Sequence, residues 1–268
     1  MYLAVSSDSL SKNSLEAVEM ATGLGFRYVE MNLQGDEFGY GYQRKTNARF
    51  YRQLRQQLDQ HSLQVWSVTL PPLTQEQMFY ERARKDILFS AAIAAGTLGA
   101  RVLVVRPADI FSSEITFETY LRNRTAPAVI EGYDEAWAQV VNRRMTMALL
   151  NKDHWLGSPL TNQADRIDQT TRDLAIGWAM DVRRALRRND LHSWLAPAGD
   201  RLAVAYLYDQ EEERLTPPLS DEWGQWLPVL AQTRLKCVVI QAPLAAGNLL
   251  AHSQNHLQTI LTTHQFSE

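Results

Sequence analysis

Ala-Thr-Gly-Leu-Gly-Phe-Arg-Tyr-Val-Glu at 21–30 and Ala-Gly-Thr-Leu-Gly-Ala-Arg-Val-Leu-Val at 95–104 carry the same local pattern twice. In each, an amphipathic run ends at Leu-Gly, and a β-rich run is entered through an arginine. Gly25 and Gly99 sit where a helix closes on a residue of positive φ, which glycine adopts without a Cβ penalty. Working outward, short β-branched or aromatic runs bounded by turn signals place strands near 2–6, 27–32, 64–69, 101–106, 145–151, 175–181, 202–208 and 236–241. Helical periodicity occupies most of the intervals, at 14–24, 47–60, 75–97, 133–143, 182–196, 220–233 and 246–263. Strands alternating with helices imply parallel pairing through right-handed crossovers, and eight such units close into a single α/β (β/α)8 barrel spanning 1–268. A doubly wound open sheet is the alternative that periodicity leaves open. The segment 108–132 breaks the rhythm as a longer insertion after the fourth strand, and 152–173 is a second long connection on the same face. Both are expected over the C-terminal mouth, the first as a lid or extra helix.

Composition narrows the class. A hydrophobic share of 45% and a charged share of 21% over 268 residues are those of an ordinary globular chain. Apolar runs such as 89–93 and 102–105 fall far short of the roughly 20 residues needed to span a bilayer, so no membrane is expected. The N-terminus lacks a basic and apolar leader pattern, which makes the cytoplasm the expected compartment. The single cysteine, Cys237, lies inside Cys-Val-Val-Ile and reads as a buried small hydrophobe. A formal charge of −3 offers no general attraction to nucleic acid. Gly-rich phosphate loops, nucleophile elbows and zinc spacings are missing from the sequence, and no cofactor is implied.

Leu-Gly-Phe-Arg-Tyr-Val-Glu-Met-Asn (24–32), Leu-Asp-Gln-His-Ser-Leu-Gln-Val-Trp-Ser-Val-Thr-Leu (58–70), Ala-Met-Asp-Val-Arg-Arg-Ala (179–185) and Gly-Asp-Arg-Leu-Ala-Val-Ala-Tyr-Leu-Tyr-Asp (199–209) stand in an informative order. Together they resemble the xylose isomerase-like superfamily of sugar phosphate isomerases, epimerases and endonuclease IV. The resemblance implies a divalent metal held by carboxylates and histidines at the C-terminal strand ends, where it polarises sugar oxygens during proton or hydride shifts. Position by position, this chain departs from that ligand set. The fourth strand's His-Pro is Arg106-Pro107, and the fifth strand's Leu-Glu-Asn-His is Leu149-Leu150-Asn151-Lys152. Asp181 is kept on the sixth strand, but the histidine three residues later is Arg184. The seventh strand's His-Asp is Tyr208-Asp209, and the last strand's glutamate is Gln241. No family-type metal is therefore expected.

The catalytic candidates are Glu30, Asp181 and Asp209, with Tyr208 and Lys152 as further acid or base groups. The ligand-binding candidates are Asn32, Arg106, Asn151, Lys152, Arg184, Tyr208 and Gln241. Glu30 and Asn32 share one strand face and Val29 and Met31 the other. A structural carboxylate paired with a cation is the plainer reading of Glu30 and of Asp181. His252 and His256 read as surface residues of the last helix, and His154 as a loop residue. The pairs Arg183-Arg184 and Arg187-Arg188 read as a solvated face from which Arg184 could reach an anion. Trp137, Trp194, Trp223 and Trp226 lie in helical patterns and read as core or interface fillers. The expectation is a diverged isomerase/epimerase-like barrel that binds a small polar, anionic ligand such as a phosphorylated sugar or a carboxylate. The alternative is a scaffold or regulatory protein that interacts through 108–132 or an outer face. A metal-dependent isomerase or an endonuclease fits the residues less well.

Overall fold

A computed structural model describes residues 1–33, 47–70, 81–105, 134–150, 177–187, 191, 192, 195, 199–211, 214–244 and 246–265. In chain order these form β1 (Tyr2–Ser6), a 3-10 turn (Ser7–Ser9), α1 (Ser14–Gly23), β2 (Tyr28–Asn32), α2 (Ala48–Gln60), β3 (Gln64–Thr69) and α3 (Glu81–Leu98). There follow β4 (Val102–Val105), α4 (Asp134–Asn142), β5 (Thr146–Leu150), β6 (Gly177–Asp181), α5 (Val182–Arg187) and β7 (Leu202–Leu207). The chain ends with β8 (Asp209–Glu211), β9 (Arg214–Thr216), α6 (Trp223–Ala231), β10 (Cys237–Ile240) and α7 (Gly247–Gln265).

Strands β1, β10, β7, β6, β5, β4, β3 and β2 close into one barrel in that order. Every pairing within it is parallel, from Tyr2 against Cys237 round to Ala4 against Tyr28. Closure decides against the open sheet. The expected strands match the observed ones to within about two residues at either end, as assignment by turn signals allows. One element was not anticipated: β8 and β9 form an antiparallel hairpin beyond the seventh barrel strand, pairing Asp209 with Thr216 and Glu211 with Arg214. The insertion expected at 108–132 and the connection at 152–173 lie outside the described residues. So does the continuation of the 182–196 helix through 188–190, which follows the last residue of α5.

Alternation along each strand splits the core in two. Val29, Val65, Val68, Leu103, Val105, Met180, Val238 and Ile240 pack outward against the helices. Ala4, Trp66, Val104, Ala148, Leu150, Ala179, Val204, Tyr206 and Val239 fill the barrel itself. Two irregularities set the interior. The β2–β3 register shifts between Val29 and Glu30, so that Val29 pairs with Val65 but Glu30 pairs with Ser67, leaving Trp66 as an extra residue. The β6–β7 register shifts in the same way around Ala203. A bulge breaks strict alternation. Here it lets Trp66 and Ser67 both serve the interior, and the Trp66 indole N–H donates across the barrel to the Ala203 carbonyl at 3.4 Å. At the N-terminal end Tyr2, Tyr28 and Trp66 pack ring to ring at 4.7–5.9 Å, and the Arg101 guanidinium lies 4.9 Å over the Trp66 ring. Aromatic bulk thus closes the end opposite the mouth.

Gly25 and Gly99 take φ of +85° and +74°, as the two Leu-Gly turns require. Their surroundings differ. A Cβ on Gly25 would meet nothing within 4 Å, whereas one on Gly99 would lie 2.3 Å from Nη1 of Arg55, which donates to the Leu98 carbonyl at 2.7 Å. Gly25→Ala is expected to cost about 1–2 kcal/mol from the backbone alone. Gly99→Ala should cost about 1 kcal/mol more, because the Arg55 hydrogen bond must move. Urea unfolding of the two variants checks this; equal losses would contradict the assigned role of Arg55.

Candidate functional site

The parallel strands bring their C-terminal ends to one rim, and the polar residues inside the barrel are arranged in two tiers below it. The lower tier is centred on Glu30. This carboxylate is buried, and its Oε2 accepts hydrogen bonds from the Tyr206 hydroxyl at 2.7 Å and the Ser67 hydroxyl at 2.8 Å. Tyr206 also lies 3.3 Å from Thr69 Oγ1. Because β7 and β3 stand opposite each other in the barrel order, the Tyr206 side chain crosses the interior to reach Glu30 and Thr69. Among the described residues, the hydrogen-bond partners of Glu30 are neutral hydroxyls and not a cation. Burial pushes the Glu30 carboxyl up from 4.5 to about 7, with Asp8 adding to the rise and the hydroxyls of Tyr206, Ser67 and Thr69 opposing it. Burial and the adjacent Glu30 likewise push the Tyr206 phenol well up.

The upper tier is centred on Asp181, the last residue of β6 and the cap of α5. Its Oδ1 accepts the backbone N–H of Arg184 at 3.0 Å, as an N-cap carboxylate does three residues ahead. Its Oδ2 accepts the Tyr208 hydroxyl at 3.0 Å. Tyr206 and Tyr208 are two apart on one strand, so both face inward, one toward each buried acid. Burial, and then Asp181, push the Tyr208 phenol up, while Arg187 and Arg184 pull it down; the two guanidiniums therefore stand close enough to be felt at this tier. Around it, Asn32 donates from Nδ2 to Ser6 Oγ at 2.8 Å and from its backbone N–H to Ser7 Oγ at 2.9 Å. Ser9 Oγ accepts the Ala242 N–H at 2.8 Å, tying the first connection to the last. Gln241 lies just beyond β10, with its N–H on the Leu207 carbonyl at 2.9 Å and its side chain half-buried.

Asp209 is placed differently from the other candidates. Its Oδ1 takes the Arg183 guanidinium and the Trp223 indole N–H, the latter at 2.9 Å. Its Oδ2 takes the backbone N–H groups of Leu219 and Ser220, both at 2.7 Å. Arg183 also pairs with Glu222, donates to the Tyr208 carbonyl and stacks 5.0 Å over the Trp223 ring. These contacts engage both oxygens of Asp209 in pinning the hairpin and the start of α6 to the barrel. Arg183 of the expected solvated arginine face is thus engaged in an ion-pair network. Trp223 is fully buried, as a core filler; His252 is exposed, and His256 rests by Ser220. Arg106, Asn151, Lys152 and His154 lie outside the described residues.

Sequence reading missed Tyr206, Ser67 and Thr69. The spacing of Tyr206 and Tyr208 was a usable signal, whereas the bulge that turns Ser67 toward Glu30 leaves no mark in composition. At the positions where the resembled family binds its metal, Leu150 is buried in the interior core and Asp181 is engaged as described. Among the described residues, no three His, Cys, Asp or Glu side chains gather where they could share a metal ion. No helix among them is long and apolar enough to cross a membrane.

An acid whose folded-state pKa is raised binds more protons folded than unfolded between the two values. Stability is therefore expected to fall as pH rises from about 4.5 to about 7, by about 3 kcal/mol in total. Glu30→Gln keeps the acceptor for Tyr206 and removes the titration. Its unfolding free energy should gain on the native chain steadily across that window and then run parallel. Curves parallel throughout would mean that Glu30 does not titrate there.

No protein-family model matches the chain, and no curated protein matches it. Solved structures do. The 3-keto-D-glucoside 4-epimerase of Escherichia coli superposes with a TM-score of 0.65 at 14% identity, over 97% of this chain and 99% of that one. The D-allulose 3-epimerase of Methylomonas sp. gives 0.66 at 13% identity, over 98% and 97%. A xylose isomerase-like TIM-barrel protein of Mycobacterium smegmatis, solved in complex with magnesium, gives 0.62 at 12% identity, over 98% and 97%. This chain shares the closed (β/α)8 barrel fold of these solved structures, two of them epimerases and one a xylose isomerase-like TIM-barrel protein.

Proposed function

We propose that this chain is a diverged sugar isomerase/epimerase-like barrel that binds a small anionic ligand, a phosphorylated sugar or a carboxylate, at its C-terminal mouth without a resident divalent metal. The observation that carries this reading is the environment of Asp181. Where the resembled family surrounds a cation with acids, Asp181 accepts from a phenol and a helix N–H, with Arg184 and Arg187 acting on the same phenol. Hard divalent cations need several oxygen donors, mostly anionic ones. The corresponding positions here offer Asp181, an Asp209 whose two oxygens are taken by Arg183, Trp223 and two backbone N–H groups, a phenol, an amide, a guanidinium and a leucine, and that set does not fit such an ion. Guanidinium groups, by contrast, recognise phosphate and carboxylate bidentately. Arg106 and Lys152 belong to the same expected cationic set by their places after the fourth and fifth strands.

Asn32, Thr69, Gln241 and the serines of the first connection supply hydroxyl and amide groups suited to a sugar's hydroxyls. Proton transfer at this mouth falls to Glu30 and Asp181, the acids that face the barrel interior among the described residues. Asp209 is assigned to holding the hairpin rather than to chemistry.

Titration calorimetry with sulfate, sugar phosphates and the corresponding neutral sugars tests the reading. Anions are expected to bind more tightly than neutral sugars, and Arg184→Ala should weaken them at least about tenfold, since charge-assisted hydrogen bonds contribute roughly 1.5–3 kcal/mol. Binding no tighter than about 1 mM for every anion, or an unchanged affinity in Arg184→Ala, would overturn it.

A further inference from the structure

We infer that Glu30, Tyr206 and Thr69 form a proton relay leading from the buried lower tier to the mouth, with Glu30 as its reservoir and Thr69 as its outlet. The inference deepens the reading above, in that the ligand served is the one proposed to bind at the mouth. Three observations support it. The oxygens form a continuous hydrogen-bonded line, Glu30 Oε2 to Tyr206 Oη at 2.7 Å and Tyr206 Oη to Thr69 Oγ1 at 3.3 Å. The line runs upward: Glu30 is mid-strand and buried, whereas Thr69 is the last residue of β3, half-buried and paired in register with Asn32 of the mouth. Finally, among the described residues the buried acid has hydroxyl partners rather than a cation, so either protonation state can be held. Burial places its titration near neutrality.

The transfer balances without a co-reactant. A ligand hydroxyl gives its proton to Thr69 Oγ1, the Thr69 proton passes to Tyr206 Oη, and the Tyr206 proton passes to the Glu30 carboxylate. Each oxygen breaks one O–H bond as it forms another, and the negative charge moves from Glu30 to the ligand oxygen; the return runs in reverse. Tyr206 stays neutral at either end of the process, as its raised pKa requires. Among the described residues, the charged or titratable groups acting on this line are Asp8 beyond β1, Asp181 on β6 and Cys237 on β10. The two acids oppose ionisation of Glu30 and Tyr206, and the Cys237 thiol is pushed well up by burial, so it stays neutral.

Infrared spectroscopy of the full chain tests the relay without any ligand, so failure of anion binding and failure of the relay are separate results. The protonated Glu30 carboxyl is identified as the carbonyl band that Glu30→Gln removes. On rapid mixing into deuterium oxide near pH 5, that band shifts as the carboxyl proton exchanges. Exchange is expected to slow by roughly a hundredfold in Thr69→Val and in Tyr206→Phe, the low end of what a positioned proton-transfer group contributes. Thr69→Ser, which keeps the hydroxyl, should exchange at the native rate. A purely structural role for Thr69 would make Thr69→Val and Thr69→Ser exchange alike. That result, or native-rate exchange in both Thr69→Val and Tyr206→Phe, would overturn the relay, as would the lack of any titrating band lost in Glu30→Gln.

Discussion

The hydrogen bond from Tyr206 to Glu30 is the constraint around which the barrel interior is arranged. A buried carboxylate is costly unless it is paired or satisfied by donors. Here a phenol reaches from β7 across to β2, and a serine arrives from β3 only because the strand carries an extra residue at Trp66. The bulge, the large inward side chain on β7 and the small inward residues facing it, Ala4, Ala148 and Ala179, therefore belong to one solution. A barrel filled by aliphatic layers alone would have no use for any of them. The solution is incomplete in a productive sense: hydroxyls stabilise the carboxylate, but burial outweighs them and leaves Glu30 poised near 7.

Two aspartates, Asp181 at the end of β6 and Asp209 just beyond β7, show how one residue type is given different work by its surroundings. Asp181 faces inward, caps α5 and receives a phenol, so its charge is shared between the fold and the mouth. Asp209 lies at the root of the hairpin and receives a guanidinium, an indole and two backbone N–H groups. It fixes the position from which Tyr208 is presented, because Arg183 grips both the Asp209 carboxylate and the Tyr208 carbonyl. The hairpin thus contributes indirectly to the upper tier. On the function proposed above, a mouth built from phenols, amides and guanidiniums would recognise its ligand by hydrogen bonds and charge instead of by coordination.

The barrel was legible in the sequence because its signals are local. Leu-Gly turns, β-branched runs and helical periods are written within about ten residues, and closure then follows from handedness. The inward face shared by Glu30 and Asn32 was legible for the same reason, since alternation is a property of the strand itself. What could not be read were relations between distant strands. Tyr206 meets Glu30 over 176 positions of sequence and Thr69 over 137, and the register shift that brings Ser67 inward depends on how β2 and β3 pair. Asp209 looked like a site residue because it follows a strand end beside Tyr208; only the fold of the hairpin and α6 showed its carboxylate to be engaged.

The central claim is that the mouth has changed from a site for a cation to a site for an anion, with Asp181 retained as a cap and a phenol acceptor. Crystals soaked separately in manganese and in sulfate, with anomalous differences recorded for the manganese, address it directly. The account predicts sulfate within hydrogen-bonding distance of the Arg184 guanidinium and no manganese peak beside Asp181. A manganese ion coordinated by Asp181, with Tyr208 displaced from it, would contradict the account.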